Sequence, residues 1–191
     1  MKDWKAVFKG KKITVMGLGL LGRAVGDTKF LAEMGAELIV TDLKDERKLA
    51  ASLEILKPYP GITYRLGAHD VADFQGRDFI LKAAGVPIES IYIAEAKKHK
   101  IPVKMSASWF AELAGIPYVG VTGTRGKSTT THLIEAMMHA AHMGVLLGGN
   151  VKGVSTLALL PQVTSESVAL MELDSWQCRG FGDAGLSPNV A

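Results

Sequence analysis

Short apolar runs, many of them β-branched, alternate along this chain with longer stretches in which apolar positions recur every three or four residues. That alternation predicts strand and helix in turn from one end to the other. Lys12 to Met16 predicts a first strand, and Arg23 to Met34 a helix behind a glycine-rich turn. A strand at Glu37 to Val40, a charged helical stretch from Leu43 to Leu56 and a strand at Ile62 to Leu66 follow, the last after a Pro58 to Gly61 turn. Then come a strand at Asp78 to Lys82, a helix at Ser90 to His99, a strand at Ile101 to Lys104 and a serine-capped helix at Ser106 to Leu113.

The pattern restarts at Pro117. A β-branched run breaks into a glycine turn, and Lys127 to His142 predicts a helix with Leu133, Ile134, Met137, Met138 and Ala141 on one side. Beyond it the pattern predicts a strand at Met143 to Leu147, a helix at Val154 to Leu160 closed by Pro161, and a buried parallel strand at Ser167 to Leu173. The final stretch from Ser187 to Ala191 begins like one more strand. The expected class is α/β. A Rossmann-like parallel sheet is expected over residues 1–107, and over 108–191 a P-loop NTPase-like α/β domain truncated at its C-terminus. No flexible linker separates them; a second glycine loop marks the boundary.

Composition changes this picture little. With 191 residues, 48% of them hydrophobic, the chain can bury one good core or two small ones. The net charge of +3 arises from 22 basic and 19 acidic residues that are interspersed, which does not point to a nucleic-acid partner. Cys178 is the only cysteine, so no intrachain disulfide can form and a reducing compartment is expected. The first nine residues carry charges through any apolar run, and no stretch is long enough to span a bilayer. A cytoplasmic, monomeric protein without membrane contact is the expectation.

Two turns carry the chemistry. Gly17-Leu18-Gly19-Leu20-Leu21-Gly22 joins strand to helix, and Asp42 ends the next strand about twenty residues on. In such a fingerprint Gly17 allows the tight turn, Gly19 lets backbone approach a pyrophosphate, Gly22 lets the helix pack closely, and Asp42 binds ribose hydroxyls. NAD and a UDP-sugar fit equally well at this point. Gly85 follows another strand, placed either to approach the same ligand or to serve the turn before Pro87. The second turn, Gly123-Thr124-Arg125-Gly126-Lys127-Ser128-Thr129, reads as a phosphate cradle: Lys127 for the outer phosphates, Ser128 for a magnesium ion. The usual spacing asks for glycine at Val121, whereas Gly120 comes one residue early. Asn150 follows a Gly148-Gly149 turn, and Glu172 ends a strand, either as a magnesium carboxylate or as a cap for the next segment. His132, His139 and His142 share one helix side without carboxylate or cysteine partners at ligand spacing, and read as a solvated face.

Taken together, the stretches Gly120 to Thr129, Gly148 to Val151, Met171 to Gln177 and Ser187 to Asn189 resemble, in order and spacing, the central domain of Mur ligases. These are ATP-dependent amino-acid ligases of peptidoglycan precursor synthesis. The first glycine turn and the run Glu172-Leu173-Asp174-Ser175-Trp176-Gln177 look most like the branch that adds D-glutamate to UDP-N-acetylmuramoyl-L-alanine. The resemblance implies a first domain holding the UDP part of the substrate through Gly17, Leu18, Gly19, Leu20, Leu21, Gly22, Asp42 and Gly85. It implies a central domain holding ATP, with Lys127 on the phosphates, Ser128 and Glu172 at Mg2+, and Asn150 lining the active site. The family's displaced first glycine is similar to Gly120. The chain differs from the usual pattern at Arg125 (asparagine), Asp174 (serine), Ala83 and Ala84 (Ser-Pro) and Leu21 (threonine). The family's later histidine, modified lysine and amino-acid-binding domain would follow Ala191, so the chain is expected to bind nucleotide without completing ligation. Other readings are a different Mur-type or polyglutamate ligase, a NAD-dependent oxidoreductase, and a non-catalytic nucleotide-binding module.

Overall fold

In the computed structural model, which describes residues 3–20 and 22–191, strand β1 (Lys12–Met16) lies at the middle of a five-stranded parallel sheet. Its order is β3-β2-β1-β4-β5, with β2 at Glu37–Asp42, β3 at Ile62–Leu66, β4 at Phe79–Lys82 and β5 at Val103–Lys104. Central position explains the composition of β1: Ile13, Thr14, Val15 and Met16 are all buried, and the one hydroxyl among them donates to the Asp73 carbonyl at 2.6 Å. Helices α1 (Arg23–Glu33) and α2 (Glu46–Leu56) pack on each other and bury Val25, Phe30, Leu31, Leu49 and Leu56. Helix α3 (Ile91–Lys98) joins a second cluster with Met16, Phe74, Ile80 and Ile101.

Local chemistry sets the ends. Asp45 accepts the Lys48 amide and starts α2, three residues later than the pattern from Leu43 predicts, because Lys44 is held back by its own bond to Asp42. Ser90 caps α3, and Lys97 and Lys98 in the last turn complement its dipole.

The chain divides into two units, Asp3–Met105 and Ser106–Ala191. The second holds helix α4 (Ser106–Ala114) and a parallel sheet of order β6-β8-β7, with β6 at Tyr118–Val121, β7 at Gly144–Gly149 and β8 at Ser167–Glu172. Helix α5 (Lys127–Ala140) follows β6 and packs on this sheet. The last residues lie along β6: the Gly120 amide donates to Val190 O at 2.9 Å, and the Tyr118 amide to Asn189 Oδ1 at 3.0 Å. Trp109, Phe110 and Leu113 of α4 are buried in this unit.

Two segments differ from the pattern. Instead of a helix at Val154 to Leu160 closed by proline, a 3-10 turn spans Leu157–Gln162 with Pro161 inside it. Its first amides are taken by side chains, Leu157 by Ser106 Oγ and Ala158 by Ser155 Oγ, so no longer helix is needed to satisfy them. Helix α6 (Ser175–Asp183) was not anticipated, although Asp174 and Gln177 form a complete capping box. Among the described residues, no helix is long and apolar enough to cross a membrane.

Candidate functional site

In the first unit the glycine turn after β1 and the turn after β4 stand on either side of the line where the sheet order reverses. Open parallel sheets bind ligands at such a point. Gly17 has φ +91°, and a Cβ there would lie 3.0 Å from Ala83 Cβ and 3.2 Å from Val86 Cγ2. The two turns therefore touch, and glycine is required for both conformation and room. Gly19 and Gly85 face open space, and Gly85 has no unusual φ. Gly85 lies within the turn 83–86, which the Val86 amide closes on the Ala83 carbonyl at 3.1 Å.

Asp42, 3% exposed, is engaged within the fold: Oδ2 accepts the Gly19 amide at 2.9 Å and Oδ1 the Lys44 amide at 2.8 Å. It braces the glycine turn from below, helped by Ser52 Oγ on the Gly19 carbonyl. Leu18 points its side chain into the core, so only its backbone can meet a ligand, whereas Leu20 is exposed. Gly22 caps α1, and Leu21 lies outside the described residues.

Beside Asp42, a contact that sequence reasoning missed ties the end of β2 to the loop after β3. Thr41 Oγ1 and His69 Nδ1 are 2.6 Å apart, and the imidazole packs edge-on against Phe74 and Tyr92. Burial lowers the His69 pKa below its usual 6.5, against the opposing pull of the Asp42 and Asp73 carboxylates. The unfolded chain thus takes up this proton at higher pH than the folded one. The stability it contributes is complete above about pH 6.5 and falls as pH drops below that value. Melting temperatures between pH 7.5 and 5.5 are expected to fall less steeply for His69→Asn than for the unchanged chain. An identical slope would show that His69 is not the responsible group.

In the second unit the strand ends of β6 and β8 are neighbours, with Val121 opposite Glu172. Thr122 to Gly126 form the loop between β6 and α5, and Gly126, at φ +79°, caps α5. Thr124, Arg125, Ser128 and Thr129 are exposed around it. Lys127 curls back so that Nζ donates to the Gly123 carbonyl at 2.9 Å. Glu172 is 5% exposed and accepts from Asn150 Nδ2 at 3.3 Å, while its carbonyl accepts the Asn150 amide. The structure thus pairs Asn150 with Glu172 at the strand end next to the one that opens the cradle. Asp174, and not Glu172, caps the following helix.

No three His, Cys, Asp or Glu residues among the described ones gather as a metal site. The oxygen donors Ser128 and Glu172 nevertheless fit a magnesium ion, which takes few protein ligands and completes its shell with phosphate and water. His132 and His139 instead flank Glu135 on the exposed side of α5. Cys178 is exposed, with Sγ 3.7 Å from Thr122 Oγ1.

No family model matches the chain. It is 38% identical over 182 residues to the UDP-N-acetylmuramoylalanine–D-glutamate ligase of Roseiflexus sp. (strain RS-1), covering 95% of this chain and 39% of that protein. It is 40% identical over 174 residues to the ligase of the same name from Borreliella burgdorferi (strain ZS7), covering 91% and 38%. The chain is a relative of the Mur ligases. It spans about two fifths of the length of these curated relatives. The fold agrees with a Mur-ligase structure, that of the UDP-N-acetylmuramate:L-alanyl-gamma-D-glutamyl-meso-diaminopimelate ligase from Neisseria meningitides. The TM-score is 0.53 at 18% identity, over 85% of this chain and 52% of that one.

Proposed function

We propose that this Mur-ligase relative is the part of an ATP-dependent ligase that holds two nucleotides, in a protein that adds D-glutamate to UDP-N-acetylmuramoyl-L-alanine during peptidoglycan precursor synthesis. The observation that carries the reading is the Asn150–Glu172 pair at the strand end beside the Lys127 cradle. The identity to D-glutamate ligases over nearly the whole chain supports the choice of substrate.

In this reading the turn at Gly17, Leu18, Gly19, Leu20, Leu21 and Gly22, with Asp42 and Gly85, takes the UDP moiety in the first domain. The cradle of Gly123, Thr124, Arg125, Gly126, Lys127, Ser128 and Thr129 takes the ATP phosphates in the second. Bound Mg2+ would neutralise phosphate charge, held by Ser128 and Glu172. A substrate carboxylate oxygen attacks the γ-phosphorus, ADP leaves, and the amine of D-glutamate displaces phosphate from the acyl phosphate to form the amide. The residues of this chain contribute positioning and charge neutralisation. Lys127 binds the transferred phosphoryl oxygens, loop amides orient the chain of phosphates, and Asn150 holds the Glu172 carboxylate in place. Since the chain spans only part of its relatives, ligation is proposed for the whole protein and nucleotide binding for this stretch.

Thermal shifts with UDP-N-acetylmuramoyl-L-alanine, ATP-Mg and NADH in parallel test the reading, because a ligand selective for the folded chain raises its stability by mass action. Stabilisation by the first two is expected. Stabilisation by NADH alone would replace the ligase reading with that of an oxidoreductase.

A further inference from the structure

Lys82 ends β4 and is 4% exposed. A buried ammonium survives in a fold only where polar groups compensate it. Here Nζ donates to the Val86 carbonyl at 2.9 Å and the Ala83 carbonyl at 3.2 Å, so the cation underlies the turn that carries Gly85. Strand register sets Lys82 opposite Met16, the residue before Gly17, and the Ala83 amide donates to the Met16 carbonyl. Ala83 and Val86 are the two residues that a side chain at Gly17 would strike. The lysine head group is therefore held out of water beneath the turn that meets Gly17.

We propose that Lys82 is the fixed cation of this nucleotide site, a positioning residue whose buried charge, acting through the turn 83–86, makes the site prefer a nucleoside diphosphate to the free nucleoside. The inference rests on the reading above that this unit binds the UDP moiety. In surroundings poor in water a charge acts over a longer range than in solvent. The carbonyl that Lys82 binds belongs to the Ala83–Ala84 peptide, and polarisation strengthens the donor at its other end. A diphosphate responds to both effects. A neutral nucleoside responds to neither.

Calorimetric titration of the full 191-residue chain with UDP and with uridine separates charge from tether. Lys82→Gln keeps a hydrogen-bond donor for the turn and removes the charge. It is expected to weaken UDP about tenfold and uridine less than about twofold, since a lost charge contact acts on the charged ligand. Lys82→Arg keeps the charge and should keep the preference. Equal weakening of both ligands in Lys82→Gln, or no weakening, would overturn the proposal and leave Lys82 as a structural tether. Lys82→Met supplies the same ratio should the Gln variant fail to fold, and reading the ratio within one variant cancels a general loss of stability. An unchanged chain that binds neither ligand overturns the UDP reading and this inference together; one that binds UDP while Lys82→Gln keeps its preference overturns the inference alone.

Discussion

Lys127→Ala is expected to cut the stabilisation by ATP-Mg at least about twofold and to leave that by UDP unchanged. The lysine is the residue on which the cradle's charge depends, for its ammonium already sits on the Gly123 carbonyl at 2.9 Å, over the loop that would receive phosphate. A phosphate oxygen is a stronger acceptor than that carbonyl, and a charge-assisted bond of this kind contributes about 1.5–3 kcal/mol. Losing it weakens ATP by roughly one to two orders of magnitude. At a concentration one hundred times the original dissociation constant, ATP stabilises the folded chain by about 2.7 kcal/mol, and a hundredfold weaker site retains about 0.4 kcal/mol. Without ligand the variant should melt almost as the unchanged chain does, because Lys127 is only half-buried and lies outside the core, where a substitution changes stability by about 0.5 kcal/mol. Loss of both nucleotide responses would contradict the division of labour between the units, and an undiminished ATP response would remove Lys127 from the site.

The parts legible in the sequence are those where a residue type is dictated locally. Both glycine turns were legible because positive φ at Gly17 and Gly126 leaves few other choices, and the strands because parallel pairing buries them on both faces. Asp174 and Gln177 carry a readable helix signal, a capping box two residues beyond the strand-end carboxylate of Glu172. What stayed hidden depends on distant partners. Gly120 reads as a displaced cradle glycine, yet it lies within β6, where a Cβ would meet Pro188 Cγ at 3.0 Å and Leu173 Cδ1 at 3.2 Å. Its smallness serves the close approach of the final residues, and Val121 is the ordinary apolar strand residue beside it. Nothing in the sequence marks Lys82, the last residue of the strand predicted from Asp78, as buried, and only the fold of the following turn shows it so. Leu18 and Leu20 are alike in sequence, and the sharpness of the turn sends one to the core and the other to solvent.

The second large effect concerns the strand end beside the loop proposed to take ATP. Gly149 ends β7 at φ +85°, paired in register with Glu172. A Cβ built there would overlap the Glu172 carbonyl oxygen and lie 3.0 Å from its carbon and 3.1 Å from the Glu172 amide nitrogen. These are backbone atoms of the neighbouring strand, so no side-chain rotation relieves the clash. Gly149→Ala must either open the β7–β8 pairing or push the end of β8 away, and both movements carry Glu172 and its partner Asn150 out of place. The left-handed backbone costs an alanine about 1–2 kcal/mol and the overpacking about 1–3 kcal/mol more. Together they take roughly 2–5 kcal/mol from a unit whose whole stability is of the order of 5–15 kcal/mol. Gly153→Ala is the matched control, since Gly153 shares a positive φ of +77° but faces open space, and it should lose only the conformational part. Urea melts of the two variants isolate the clash with the strand by difference. In Gly149→Ala the ATP-Mg response should vanish while UDP still stabilises the Asp3–Met105 unit, whose glycine turns are untouched. A Gly149→Ala chain no less stable than Gly153→Ala would mean that β8 yields without cost, and Glu172 could not then be held as a fixed ligand for the metal.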